Sequence, residues 1–425
     1  MAISVTTAAT LATPAACSRD IRLLVSFGER DGAADVGVSG DALVQIDATD
    51  AATDAGVTMN KTCAGLGDPI RLPTANGPVC ASALATRGGR FALCSCSDLQ
   101  VTAPIHTDSF DSTSSSPSIG GVGGIGSVRT TAAIGVDGVV GSSAEIRAGG
   151  AFYATSVIAA TQHIETVRSL RSGGLVLIDT DAHVAGDAYL SASISGILHV
   201  DGILHVPANV GVDPASMVPE SSILREPVSI PPPCDCGASF VNLNAAVASA
   251  VAVNDNGVVG LPVDALALLT TATGVNVTCG VYVLSSIDAA QSLIFAVRGR
   301  ALVVVTGDVV LRGGMIVSLD PGAELDLLIG GRLMVSGSGA VGSTAPARFR
   351  IWVAGTDSVV FDNDPAVGAV IRAPQAAVAA STGLRLSGGL VAGSVMAGGE
   401  VDLHFDEAIL SAGTTCGEPT ATPVP

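Results

Sequence analysis

Short runs of alternating apolar and polar residues, each stopped by Gly-Gly or Asp-Gly, fill most of this 425-residue chain. The clearest sample is Ile197-Leu198-His199-Val200-Asp201-Gly202, followed at once by Ile203-Leu204-His205-Val206-Pro207. A second run, from Ala301 to Ser336, repeats the same alternation and the same glycine stops. In a strand, successive side chains face opposite ways, so alternation gives one buried face and one wet face. Units this short cannot bury an apolar face alone. They must stack on one another, as the coils of a β-solenoid or a tightly wound sandwich do.

Composition supports a narrow, layered interior. Hydrophobic residues make up 48% of the chain but aromatic residues only 3%, so the core must be built from Val, Ile, Leu and Ala. No run approaches the ~18 uninterrupted apolar residues of a spanning helix, so no transmembrane span is expected. The net charge is −18, and Lys61 is the one lysine in the sequence. Phosphate contacts need clustered cations, so nucleic acid is excluded as a partner. The acidity keeps an apolar, edge-rich protein soluble and self-repelling.

Nine cysteines are present. Setting Cys17 aside leaves Cys63, Cys80, Cys94, Cys96, Cys234, Cys236, Cys279 and Cys416, which form a framework of up to four disulfides. Connectivity stays open, except that pairing within either Cys-x-Cys is disfavoured. Zinc would want Cys-x-x-Cys spacing or nearby histidines. Disulfides imply an oxidising compartment, hence an extracellular or outer-surface location. Residues 1–17 are mildly apolar with small residues before Cys17, and are read as an export or anchor segment with Cys17 as its lipid attachment point. They lack the positive start of a secretory signal.

Along the chain, residues 18–100 read as a Cys-rich β module whose cysteines staple its own loops, and 101–210 as a first solenoid segment. Prolines at 214, 219, 227 and 231–233 mark residues 211–239 as a crossing segment, because proline cannot donate to a sheet ladder. Residues 240–270 form a helical cap. Its helix runs over Phe240–Val253, with Phe240, Leu243, Val247 and Val251 on one face. A second solenoid segment spans 271–412, and 413–425 is a tail. The expected fold is mainly β, a solenoid with a short flanking or capping helix and a small disulfide-stapled N-terminal module.

Few constellations suggest chemistry. His199 and His205 hold equivalent places in consecutive hexapeptides and would stack about 4.8 Å apart in adjacent layers, as a side-chain ladder or, less readily, a metal site. Asp179, Asp181 and Asp187 make one acidic loop. Asp362 and Asp364 make another, the candidate for calcium, with a turn capped by Asp and Asn as the plainer explanation. Asp108 with Asp111 and Asp402 with Asp406 are near-neighbour carboxylates of the kind a polysaccharide-cleaving solenoid uses. One Trp and three Tyr make a poor sugar platform. No Gly-x-Ser-x-Gly, His-Glu-x-x-His or Walker loop occurs. Ice binding would want ranks of Thr-x-Thr, yet Thr130-Thr131 and Thr270-Thr271 are adjacent.

Cys63-Ala-Gly-Leu-Gly, Phe91-Ala-Leu-Cys-Ser-Cys96 and His106-Thr-Asp-Ser-Phe-Asp111 resemble the N-terminal half of uncharacterised bacterial cell-surface lipoproteins. Leu319-Asp-Pro-Gly-Ala-Glu-Leu-Asp326, Ile371-Arg-Ala-Pro374 and Leu403-His-Phe-Asp406 resemble their C-terminal β-solenoid domain, which is similar to bactofilin-like and adhesin-associated solenoids. The resemblance covers about residues 60–410. It implies an exported envelope protein with a right-handed β-helix and no catalytic residues. The expected function is a non-enzymatic structural or adhesive protein of the bacterial surface or matrix, assembling with itself end to end or by edge strands. The alternatives are a polysaccharide hydrolase or lyase, and an ion-, ligand- or ice-binding solenoid. No cofactor beyond calcium is expected.

Overall fold

The computed structural model describes residues 57–58, 62–74, 77–88, 90–114, 131–236 and 242–416. Cys17 and the proposed anchor segment lie outside these residues, as does the tail beyond 416.

From Ile134 to Ser172 a three-residue strand recurs every six residues, as in Ile134–Val136, Val140–Ser142 and Ile146–Ala148. In each, the first and third side chains are buried and most middle ones point outward, as strand alternation requires. Three strands make one coil. Phe152 therefore lies in parallel register with Ile134 below and Leu170 above, eighteen residues away in each direction. Glycine turns the corners because the next coil lies directly beneath. A Cβ at Gly173 would sit 2.3 Å from the carbonyl oxygen of Thr155.

The second half of the chain builds larger coils of the same kind. Tyr282, Val303, Leu327, Ile351, Ile371 and Leu390 form one inward-facing column. That column does not end at Leu390. Leu390 pairs with Leu93, Val395 with Leu99, and Val401 with Ile105, so the last coils of the second half carry the first coil of the first half. The column then continues through Ile134, Phe152, Leu170, Ala188 and Leu204 to Ile223. At about 4.8 Å per layer this is a rod roughly 60 Å long. The two expected solenoid segments are thus one stack, assembled in reversed order. The chain climbs from Leu93, returns through the proline-rich segment, and restarts at Thr273 at the lower end.

Disulfides hold this path. Cys94–Cys234 and Cys96–Cys236 rivet the returning segment to the outside of the first coil. Cys63–Cys279 ties the segment ahead of the stack to its lowest coil, and Cys80 is also disulfide-bonded. The expected stapling of cysteines 63–96 to one another is therefore corrected. Each of the bridges just described spans a long stretch of chain, because residues 93–101 belong to the stack and not to a separate module.

Among the described residues, three α-helices flank the rod: α1 (Ala81–Gly88), α2 (Leu243–Ala252) and α3 (Asn256–Val259). Asn242 caps α2 by accepting from the Ala245 N–H at 2.9 Å. Its buried side chains are Leu243, Ala246 and Ala250, while Val251 is exposed, so the buried face is rotated from the one expected. Small side chains let the helix approach the flat outer side of strands Gly280–Leu284, Arg300–Val305 and Glu324–Ile329.

The lowest sheet edge is sealed. Val283 donates its N–H to Asn256 Oδ1 at 2.8 Å and accepts from Asn256 Nδ2 at 2.6 Å. Asp255 does the same for Val281, through its backbone N–H at 2.7 Å and its carboxylate at 2.9 Å. A buried asparagine here takes the place of the missing strand. At the upper end, Ile223–Arg225 pairs below with Leu204–Val206. Among the described residues no helix is long and apolar enough to cross a membrane.

Candidate functional site

The stack has three outer faces. One is covered by α2 and the returning segment. Its upper part is a column of Tyr153, Arg171, Tyr189 and His205. Arg171 Cζ lies 5.1 Å from the Tyr153 ring and 4.3 Å from the Tyr189 ring, and Tyr189 stacks on His205 at 4.2 Å. Burial pushes the Tyr153 hydroxyl above its ordinary value, against the pull of Arg171. His205 Nδ1 contacts Glu226 at 2.6 Å.

This placement corrects the expected His199–His205 stack. Three strands make a coil, so residues six apart lie a third of the way around it. Vertical neighbours here are sixteen apart. His199 pairs in register with His183, and Tyr189 with His205.

The covered face also holds the buried charges. Arg350 donates to Asp326 at 2.8 and 2.7 Å and to Glu324 at 2.6 Å, and Trp352 Nε1 donates to Asp326 at 2.8 Å. Burial pulls the Arg350 guanidinium down, but the two carboxylates outweigh it and hold it above its ordinary value. Arg372 is buried too. Its Nη2 donates to the Ala85 carbonyl at 2.5 Å, while Nε and Nη1 have no hydrogen-bond partner. Burial pushes its pKa down to about 9, with Asp235 opposing.

A second face is largely apolar along its outward row, which runs from Val310 through Met334, Val360, Ala379 and Met396 to Gln100, Gly141, Ala159 and Leu177. An open depression of about 530 Å³ beside Gln100 and Met396 is lined by Thr102, Gly141, Ser143 and neighbours, none of them titratable. The row contains no rank of threonines.

The third face carries the other described histidines, His106, His163, His183, His199 and His404, with carboxylates among them. Its outward column reads Arg385, Asp402, His106, Arg147, Glu165, His183, His199, in continuous parallel register across the seam between the chain's halves. Around it, His163 Nδ1 lies 3.0 Å from Asp181, His183 Nε2 3.2 Å from Asp201, and His404 Nδ1 2.6 Å from Asp108. At the seam, His106 Nδ1 lies 3.4 Å from Asp402 and 3.9 Å from Glu400, while its Nε2 faces Glu145 at 3.9 Å. One ligating atom each from His106, Glu400 and Asp402 fall within 4.8 Å of one another. No other such three-residue cluster occurs among the described residues.

Of the residues singled out in the sequence, Asp108 and Asp402 meet at this seam. Asp406 lies behind it, buried, accepting from the Ser112, Ala347 and Ala408 N–H groups and the Ser112 hydroxyl at 2.8–3.1 Å. Burial pushes its carboxyl upward despite these donors. Asp111 caps the following turn through Thr113 N at 2.9 Å. Asp362 and Asp364 sit in a turn where Asn363 and Asp364 adopt φ of 68° and 50°. Asp362 accepts from Ser381 Oγ at 2.8 Å and from Asn363 N at 3.1 Å, and Asp364 faces Arg385 at 3.6 Å. These groups hold a turn. The side chain of Cys416 lies outside the described residues.

Sequence reasoning missed the His106 cluster, because its members come from strands that only the seam brings together. A signal was present only for the bridges: two Cys-x-Cys pairs with equal spacing fit two extended segments side by side, in which alternate residues face the same way.

Residues 238–411 match the model of a domain of unknown function (DUF7305). The match begins just before α2 and ends beyond the last coil, so it covers the lower part of the stack and leaves Leu93–Arg225 outside. It carries neither the lipoprotein nor the bactofilin-like part of the resemblance. No curated protein and no solved structure matches the chain.

Proposed function

We propose that this chain is a non-enzymatic, exported scaffold that presents an acidic rod at a bacterial surface or matrix. The observation that carries this reading is the unbroken run of three parallel ladders through both halves, closed by disulfides at the seam and at the lower end. Disulfides belong to oxidising compartments, which supports a location outside the cytoplasm. Cys17 is the proposed lipid anchor. The partner is the surrounding matrix or further copies, joined at the upper end, since Asn256 and Asp255 seal the lower edge against strand addition.

The alternative is a polysaccharide-cleaving enzyme. Against it, the imidazole–carboxylate pairs lie in a column along an outward sheet face, and the depression beside Gln100 has no acid or base. The test is to incubate the disulfide-intact protein with acidic polysaccharides and with isolated envelope fractions. Sedimentation with the envelope, with no new sugar ends, supports the scaffold. Catalytic release of sugar ends overturns it.

A further inference from the structure

The seam cluster has the donors and the layout of a cation site. His106 and Glu145 come from the first half of the chain, Glu400 and Asp402 from the second. His106, Glu400 and Asp402 are each about a quarter to two-fifths exposed, open enough for an ion to enter and covered enough to shed part of its water. Nδ1 of His106 faces the two carboxylates of the second half. Nε2 is buried, has no hydrogen-bond partner, and faces Glu145 Oε2 at 3.9 Å, too far for a hydrogen bond.

That orphaned nitrogen is the second observation. An imidazole that binds a metal through one nitrogen carries its proton on the other and gives it to a carboxylate, which fixes the tautomer. Glu145 stands where that acceptor belongs, itself held by Arg147 Nε at 2.7 Å. We propose that His106 Nδ1, Glu400 and Asp402 bind one divalent transition-metal ion, with Glu145 as the outer acceptor for Nε2–H. One imidazole with two carboxylates suits zinc or manganese. Calcium and magnesium prefer all-oxygen shells. The ion joins coils from the two halves, so it acts as a clasp on the seam. The site does not depend on the scaffold reading.

The test uses the disulfide-intact protein without an affinity tag, stripped with chelator and titrated calorimetrically with Zn²⁺ and Mn²⁺, with Ca²⁺ for comparison. One equivalent of Zn²⁺ or Mn²⁺ is expected to bind and raise the melting temperature. His106→Gln and Asp402→Asn should each abolish that binding, and Glu145→Gln should weaken it about 10- to 100-fold. His163→Gln, at a His–Asp pair elsewhere on the same face, should leave it unchanged. Circular dichroism of each variant separates lost binding from lost folding. X-ray absorption of the Zn²⁺ form should show one imidazole in the shell. No saturable Zn²⁺ or Mn²⁺ binding by the wild type overturns the proposal. So does undiminished binding by folded His106→Gln, or equal affinity for Ca²⁺.

Discussion

His404 Nδ1 lies 2.6 Å from Asp108, although 296 residues separate them in sequence. Their strands pair because the last coil of the chain is the support for its first. A coil at the end of a solenoid exposes ladder groups and apolar side chains on one side. Reversing the order of the halves leaves two such ends fitted together inside the molecule. Closing that loop costs entropy, and the covalent links sit where the cost is felt.

The two bridges Cys94–Cys234 and Cys96–Cys236 should therefore be strongly non-additive. Each spans 140 residues. With one in place, the other closes only a six-residue ring, worth about 2 kcal/mol on chain-entropy grounds, whereas the first closure is worth about 5 kcal/mol. Replacing either pair with alanine should cost about 2 kcal/mol, and replacing both pairs about 7 kcal/mol. Denaturant unfolding of the three variants under non-reducing conditions checks this. Equal, additive losses would mean that the bridges act by local strain or packing.

Alternation and glycine punctuation made the solenoid legible, because a period of two is a local property and stacking is the way such short units bury a face. The coil size was not legible. His199 and His205 look equivalent in sequence, and only the three-strand coil separates them onto different faces. The seam was hidden for a stronger reason. Nothing local in Leu93–Ser95 says that it rests on Leu390–Ala392 and not on a neighbour in sequence, since both partners are short apolar strands. The cation cluster inherits that difficulty, since it exists only once the seam is closed.

Two buried arginines should respond oppositely to the same change. Arg350 is matched by Asp326 and Glu324, both buried. Arg350→Met strands two carboxylates and should cost about 3–5 kcal/mol. Arg372 has one acceptor, and two of its nitrogens have no partner. Arg372→Met removes a poorly satisfied buried charge and should be neutral or stabilising by about 1–3 kcal/mol. Thermal melts of the two variants beside the wild type decide it, and a large loss at Arg372 would show that its charge is compensated.

Asp406 joins segments distant in sequence, at Ser112, Ala347 and Ala408. All its partners are donors, so Asp406→Asn points an amide NH₂ at other donors and should cost about 1–3 kcal/mol at neutral pH. The pH dependence has a defined sign. Burial raises this carboxyl in the folded state, so folding favours its protonated form. Its contribution is greatest below the ordinary carboxylate range, falls as pH rises through the folded value, and is constant above. The penalty of Asp406→Asn should therefore shrink as the pH rises through that window, which paired pH–stability curves would reveal.

The lower edge gives the last prediction. Asn256 satisfies both the N–H and the C=O of Val283 with one amide. Asn256→Leu keeps similar bulk but leaves both backbone groups facing an apolar side chain. Two unsatisfied buried groups cost about 1–3 kcal/mol each, so a loss of roughly 2–6 kcal/mol is expected. An unsealed edge also becomes a template for another strand. The variant should associate in proportion to its concentration, while the wild type does not add strands at this end. Sedimentation velocity across a dilution series, with thermal melts on the same samples, measures both effects. Asn256→Asp offers only acceptors, so it can receive the Val283 N–H but cannot donate to its carbonyl, and should fall between the two. A leucine variant as stable and as monodisperse as the wild type would show that α3, and not this amide, closes the rod.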